Sequence, residues 1–254
     1  MARYGSREIA NVVFKDIESG KPVLYLETLK VSTLEQTADS FYARGGRGNN
    51  RLIGWDSNKE MTFMMEDALI TPESLALLFG TDVEVGAQMV HKKEALVVGA
   101  DDKVTLAETP SSAAGAKLFV FKSNAYGAEI LGDALTIDTD YTISGKEITF
   151  LVASGLEEGD TVIVDYYYDS ASGTKQVVML ADKFPGYYTV EAEFLWRDEA
   201  TGQDVPAIYT IHRGRIMSNV SIEAQAEGDP ATFNFEMEVF PAAGNRMVTI
   251  DILE

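Results

Sequence analysis

Two histidines, His91 and His212, are the chain's only imidazoles, and they fall in different segments. Neither has a second histidine or a cysteine near it in sequence, so no spacing typical of zinc ligands is present. The chain has no cysteine at all, which removes disulfides, thiolate nucleophiles and iron–sulfur ligation. "DTDYTISGKE" sets Asp138 and Asp140 two residues apart but lacks the third acid and the spaced glycine of an EF-hand loop. It reads as turn chemistry, with a weak calcium site as the alternative. There is no G-x-S-x-G elbow, phosphate-binding loop or dinucleotide fingerprint. Glutamate pairs such as Glu191 with Glu193 and Glu236 with Glu238 are too common here to signal glycosidase chemistry. The chain therefore reads as a non-enzyme, with no cofactor.

What the sequence does carry is a charge pattern. Of 254 residues, 40 are acidic and 21 are Lys or Arg, a formal charge of −19, with the acid concentrated in the last two thirds. Such a balance opposes ordinary DNA binding, which draws its affinity from Lys and Arg displacing counterions. Against it stands one basic stretch, "YARGGRGNNRLIGWD", where Arg44, Arg47 and Arg51 sit among glycines and asparagines with no acid before Asp56.

The elements that position these residues are mostly strands. In "YTVEAEFLW", Tyr188, Val190, Ala192, Phe194 and Trp196 fall on one face by the period-2 rule, and Glu191 and Glu193 on the other. "TFNFEMEV" sets Phe233, Phe235, Met237 and Val239 against Glu236 and Glu238. "NVSIEAQAE" sets Val220 and Ile222 against Glu223. These are half-buried antiparallel strands. Their wet faces hold glutamate, amide and hydroxyl, with no Lys or Arg inside the three runs. "NVVFKD", "PVLYLETLK" and "EMTFMME" are further strands, and "RDEATGQDVP" has the residues of a hairpin loop.

One helix is expected over residues 71–80, "TPESLALLFG", capped by Thr71 and stopped by Gly80. Leu75, Leu78 and Phe79 form its apolar stripe, placing it as a lid on a β core. Residues 97–172 read as an inserted small immunoglobulin-like β-sandwich: short strands, a hairpin at Gly145, and turns at Gly155 and Gly159. Its flanks are small and polar. Residues 1–96 and 173–254 then form one discontinuous host domain. No leader-type apolar region and no run of eighteen apolar residues is present, so neither secretion by a signal peptide nor a membrane span is expected.

Two segments resemble structural proteins of tailed bacteriophages. They are "GGRGNNRLIGWDSNKEMTFMMEDALITPESLALLFG" and "FPGYYTVEAEFLWRDEATGQDVPAIYTIHRGRIMSNVSIEAQAEGDPATFNFEMEVF". The second resembles the closing half of a tail tube (major tail) protein, in which a glycine-and-acid hairpin, an "I-x-R/K-G-x-I" strand and an "A-E-G-D-P-x-x-F-x-F" turn follow one another. The resemblance covers residues 1–95 and 175–254. It implies a mainly β subunit, an antiparallel β-sandwich or half-barrel with one short flanking helix. Such subunits assemble as hexameric rings stacked into a tube around a DNA-sized lumen, in a virion tail made in the bacterial cytoplasm. Partners would be further copies of the chain, other tail proteins (sheath, terminator, baseplate) and DNA in non-specific transit.

With that resemblance, Glu191, Glu193, Glu223, Glu236 and Glu238 become candidates for an acidic lumen wall, which repels a polyanion and leaves it mobile. Arg44, Arg47 and Arg51, with Trp55, become an arm contacting another subunit or ring, because arginine pairs with carboxylates in a bidentate manner. Two alternatives remain open. One is a baseplate, tail-hub or head-decoration protein whose insert touches a surface. The other is a carbohydrate-binding insert built on Tyr126, Tyr166, Tyr167 and Tyr168, although consecutive strand tyrosines point to opposite faces.

Overall fold

A computed structural model describes residues 3–6, 8–217 and 232–253. The described residues are mainly β, with 56% strand and one short α-helix. The first strands are β1 (Tyr4–Ser6), β2 (Asn11–Asp16), β3 (Pro22–Leu26), β4 (Leu29–Gly45) and β5 (Asn50–Asp67). Helix α1 (Pro72–Phe79) follows, then β6 (Val83–Val85), β7 (Met89–Val97), β8 (Lys103–Thr105) and β9 (Leu118–Ser123). Next come β10 (Ile130–Leu131), β11 (Tyr141–Ser144), β12 (Glu147–Phe150), β13 (Thr161–Asp169) and β14 (Lys175–Val177). The last described strands are β15 (Tyr187–Asp198), β16 (Asp204–Ile216), β17 (Phe233–Val239) and β18 (Val248–Ile252). The expected strand at 219–227, with Glu223, lies outside the described residues.

The chain divides into two compact units, one of residues 1–83 with 177–254 and one of residues 84–176. The sequence reading places these boundaries at 96/97 and 172/173. The difference lies mainly in β7, which pairs with β13 along its whole length, Met89 opposite Asp169 and Val97 opposite Thr161. Period-2 alternation makes β7 recognisable as a strand but carries no information about which sheet it joins.

Among the described residues of the first unit, a nine-stranded antiparallel sheet runs in the order β3-β2-β15-β16-β17-β5-β4, with β1 added to β15 and β18 to β16. The alternation read from the sequence is obeyed. Val190, Ala192 and Phe194 of β15 are buried, as are Phe235, Met237 and Val239 of β17. They join Val12, Phe14, Leu24, Leu26, Phe63, Met65, Ile211 and Ile216 in one core. Burial of so many large apolar side chains is the main stabilising term, at roughly 1.5–3 kcal/mol each.

Helix α1 covers part of this core with Leu77 and Leu78. Its buried side is Ser74, Ala76, Leu77 and Leu78, so the expected stripe of Leu75, Leu78 and Phe79 is rotated by about one residue. Both caps are as expected. The Thr71 hydroxyl accepts from the Ser74 backbone N–H at 3.0 Å, and the Ser74 hydroxyl accepts from the Thr71 N–H at 3.0 Å. Gly80 ends the helix at φ 65°, and a Cβ there would lie 2.2 Å from the Phe184 carbonyl oxygen. Glycine is required at this position by both conformation and space.

The second unit has two small antiparallel sheets, β10-β9-β13-β7 and β11-β12-β8. Side chains of both, among them Val120, Val164, Tyr166, Tyr141, Ile148 and Val104, share one core. Gly145 makes the β11–β12 turn at φ 59°, where Ser144 pairs with Glu147. The chain enters and leaves this unit through β6 and β14, which pair with each other.

Candidate functional site

Strands β4 and β5 are far longer than the core needs. They pair from Leu29 opposite Asp67 out to Gly45 opposite Asn50, through three register shifts. Leu29, Phe63, Met65 and Asp67 are buried at the base. From Glu35 to Glu60 no residue is buried, so about ten residue pairs, roughly 30 Å of hairpin, extend beyond the core. The tip is closed by residues 46–49, where Gly46, Gly48 and Asn49 all take positive φ. The glycines of "RGGRGNN" are thus explained by a left-handed turn.

This hairpin holds Arg44, Arg47, Arg51 and Trp55, all exposed. Among the described residues no carboxylate lies within ion-pair distance of the three arginines. The Arg51 guanidinium carbon instead sits 4.1 Å from the centroid of the Tyr42 ring. Phe41, Leu52, Ile53 and Trp55 are each more than half exposed. Solvated hairpins rarely carry so many large apolar side chains next to unpaired cations. The aromatic partners of the arginine stretch are visible in the sequence only once β4 is known to pair with β5.

The outer face of the nine-stranded sheet, opposite the core, carries the glutamates. Glu193 and Glu236 are exposed; Glu191 and Glu238 are half-buried. Register adds acids that the sequence reading missed. Glu193 and Asp251 both lie opposite Ile208 from either side, and Asn234, beside Glu236, lies opposite Glu66. The face is not purely acidic, however. Lys15 of β2 meets Glu191 at 2.6 Å, and Arg215 of β16 meets Glu238 at 3.3 Å. The absence of bases within each run is correct, but neighbouring strands supply them. Arg213 stacks on Tyr187, 4.2 Å from its centroid.

The remaining chemical candidates have structural partners. His91 Nε2 lies 2.9 Å from an Asp165 carboxylate oxygen, and His212 Nε2 lies 2.7 Å from the Thr249 hydroxyl. The two imidazoles belong to different units. Asp140 accepts from the Thr136 backbone N–H at 2.8 Å, and Asp138 sits at φ 63° in the adjoining turn. Among the described residues no group of three or more His, Cys, Asp or Glu could hold a metal ion. Tyr166 is buried while Tyr167 and Tyr168 are partly exposed, and Tyr126 stands in a loop. The Tyr166 hydroxyl donates to Glu94 and accepts from the Glu108 N–H at 3.2 Å. Burial, followed by the bond to Glu94, pushes its pKa up to about 12.

A sheet packed on one side and charged on the other, with a long exposed hairpin, makes this a mainly β protein. The chain belongs to the YomU/Tube protein family, a phage tail tube-like family, whose model matches residues 6–250. No curated protein matches the chain. The family is structural and not enzymatic. The resemblance read from the sequence rests on residues 1–95 and 175–254, whereas the family match runs through the second unit as well. Among the described residues no helix is long and apolar enough to cross a membrane.

Proposed function

We propose that this chain is the repeating subunit of a phage tail tube, assembling as hexameric rings that stack around an acidic lumen through which DNA passes. The observation that carries this reading is the two-sidedness of the nine-stranded sheet: a continuous core on one face and Glu191, Glu193, Glu236, Glu238, Asp251 and Glu66 on the other. In a ring, the outer faces of such sheets form the inner wall, as a half-barrel contributed by each subunit. A wall rich in carboxylates offers DNA no sites at which to release counterions, so DNA slides. Lys15 and Arg215 hold two of the glutamates in place without reversing the sign of the wall.

The β4–β5 hairpin is the assembly arm in this reading. Its arginines have no carboxylate partner among the described residues and its aromatics are exposed, as expected of side chains whose partners belong to another subunit. Guanidinium groups meeting carboxylates of a neighbour form charge-assisted pairs. Residues 84–176 form an inserted sandwich carried by the tube subunit. Negative-stain microscopy of the purified protein tests the reading: open-ended tubes support it, and a protein that stays as single rings or small oligomers fits a hub or decoration role instead.

A further inference from the structure

The second unit carries two surfaces of opposite character. On the solvent side of the sheet β10-β9-β13-β7, register sets Phe119, Asp165 and Lys93 in one row and Tyr167 opposite His91 in the next. Phe119 and Phe121 stack at 6.3 Å, and the His91 and Tyr167 rings meet edge to face at 5.5 Å. Asp165 is occupied by His91. Lys93 and Lys117 are exposed, and neither has a carboxylate within ion-pair distance among the described residues. In a chain of charge −19 this is an aromatic face with free cations.

At one end of the same unit two loops lie side by side. The Val98 N–H donates to the Asp160 carbonyl at 2.8 Å, and the Gly159 N–H donates to the Val98 carbonyl at 2.9 Å. This brings together Asp101, Asp102, Glu157, Glu158 and Asp160, all exposed and none in an ion pair among the described residues. The nearby Lys122 ammonium donates to the Gly155 carbonyl at 3.5 Å. Val152, in the turn beside them, is wholly exposed.

We infer that these two surfaces bind each other between copies: the aromatic and basic sheet face of one second unit docks on the acidic loop end of the next copy's second unit. Charge complementarity identifies the occupant. Lys93 and Lys117 supply the cations that the loop carboxylates lack, and Phe119 supplies an apolar surface for Val152. The two patches differ, so the contact is heterologous and propagates from copy to copy, closing into a ring or continuing as a filament. The inference rests on the tube reading for its supply of neighbouring copies.

The absence of cysteine from the sequence makes the test clean. In the full chain, Lys93→Cys combined with Glu158→Cys should give, on mild oxidation of assembled protein, a ladder of covalent multimers. Each single variant should stay monomeric on a denaturing gel. A second arm uses charge: Lys93→Glu with Lys117→Glu should abolish the contact, and adding Glu157→Lys with Glu158→Lys should restore it. Tubes without the ladder, and without rescue by the charge swap, overturn this contact while leaving the tube reading intact. A ladder from particles that are not tubes supports the contact and overturns the tube reading. Tubes that show no ladder but bind a glycan array, with loss of binding in Phe119→Ser, would assign the face to saccharide and overturn the contact.

Discussion

The Arg51 guanidinium lies 4.1 Å from the centroid of the Tyr42 ring, so its charge is held by an aromatic face of its own hairpin and, among the described residues, by no carboxylate. An exposed contact of this kind contributes about 0.5–1 kcal/mol, too little to decide the fold. The N–H groups along the guanidinium edge can still donate to a carboxylate from another subunit. Replacing Arg44, Arg47 and Arg51 together by glutamine should therefore leave the thermal midpoint within a few degrees of the wild type. Sedimentation should show the variant as monomers or single rings. Tubes of ordinary length from the triple variant would remove the hairpin arginines from the assembly account.

Helix α1 offers a stability test that does not touch assembly. Thr71→Ala removes one half of the capping box and should cost about 1 kcal/mol. Gly80→Ala should cost more. It forces alanine into a left-handed conformation and drives a methyl group into the Phe184 carbonyl, 2.2 Å away. Denaturant midpoints of the two variants check the ranking, and equal values would show that the backbone near Phe184 yields freely.

Tyr166 gives the second unit a pH signature. Its folded-state pKa is raised from 10.0 to about 12, so folding favours the protonated phenol. The stabilisation is fully present below pH 10 and is lost as pH rises from about 10 through about 12. Tyr166→Phe should lower stability at neutral pH by about 1–3 kcal/mol, because the Glu108 N–H loses its acceptor and Glu94 a donor. The variant should also lack the wild type's extra loss between pH 10 and 12. Parallel unfolding curves at pH 9 and pH 11.5 measure this, and an unchanged alkaline loss in the variant would trace it to other groups.

Removing residues 84–176 should leave a folded first unit. The chain crosses into and out of the second unit through β6 and β14, and paired strands lie about 4.8 Å apart. A short Gly/Ser bridge from Val83 to Val177 therefore spans the gap. The deletion should be soluble and should still form rings. Insoluble product from several bridge lengths would show that the two units depend on each other to fold. A deletion starting at residue 99 should fare worse, because it leaves β7 without its partner β13.

These outcomes mark where the sequence is readable. Alternation within one strand is local, so the buried faces of β15 and β17 could be written down residue by residue. Capping and turn chemistry is also local, which is why Thr71, Gly80 and Gly145 hold the positions expected of them. Pairing between distant strands is not local. Nothing in "NVVFKD" shows that Lys15 will reach Glu191, and nothing in "IHRGRI" shows that Arg215 will reach Glu238, so the outer face looked more acidic than it is. By the same limit, sequence alone assigns β7 to the first unit, whereas it pairs with β13. In the short helix, eight residues allow the apolar stripe to turn by one position, and contact with the sheet selected Leu77 over Leu75 and Phe79.

In the proposed tube, the glutamate-bearing face of the nine-stranded sheet lines a DNA conduit. Cryo-electron microscopy of assembled particles decides the orientation of this face, because the inside and outside of a tube cannot be confused. The expected result is a hollow tube in which the carboxylates of Glu191, Glu193, Glu236 and Glu238 face the axis in every subunit. A tube that turns this face to the exterior, or buries it between rings, would show that these carboxylates do not line a DNA path.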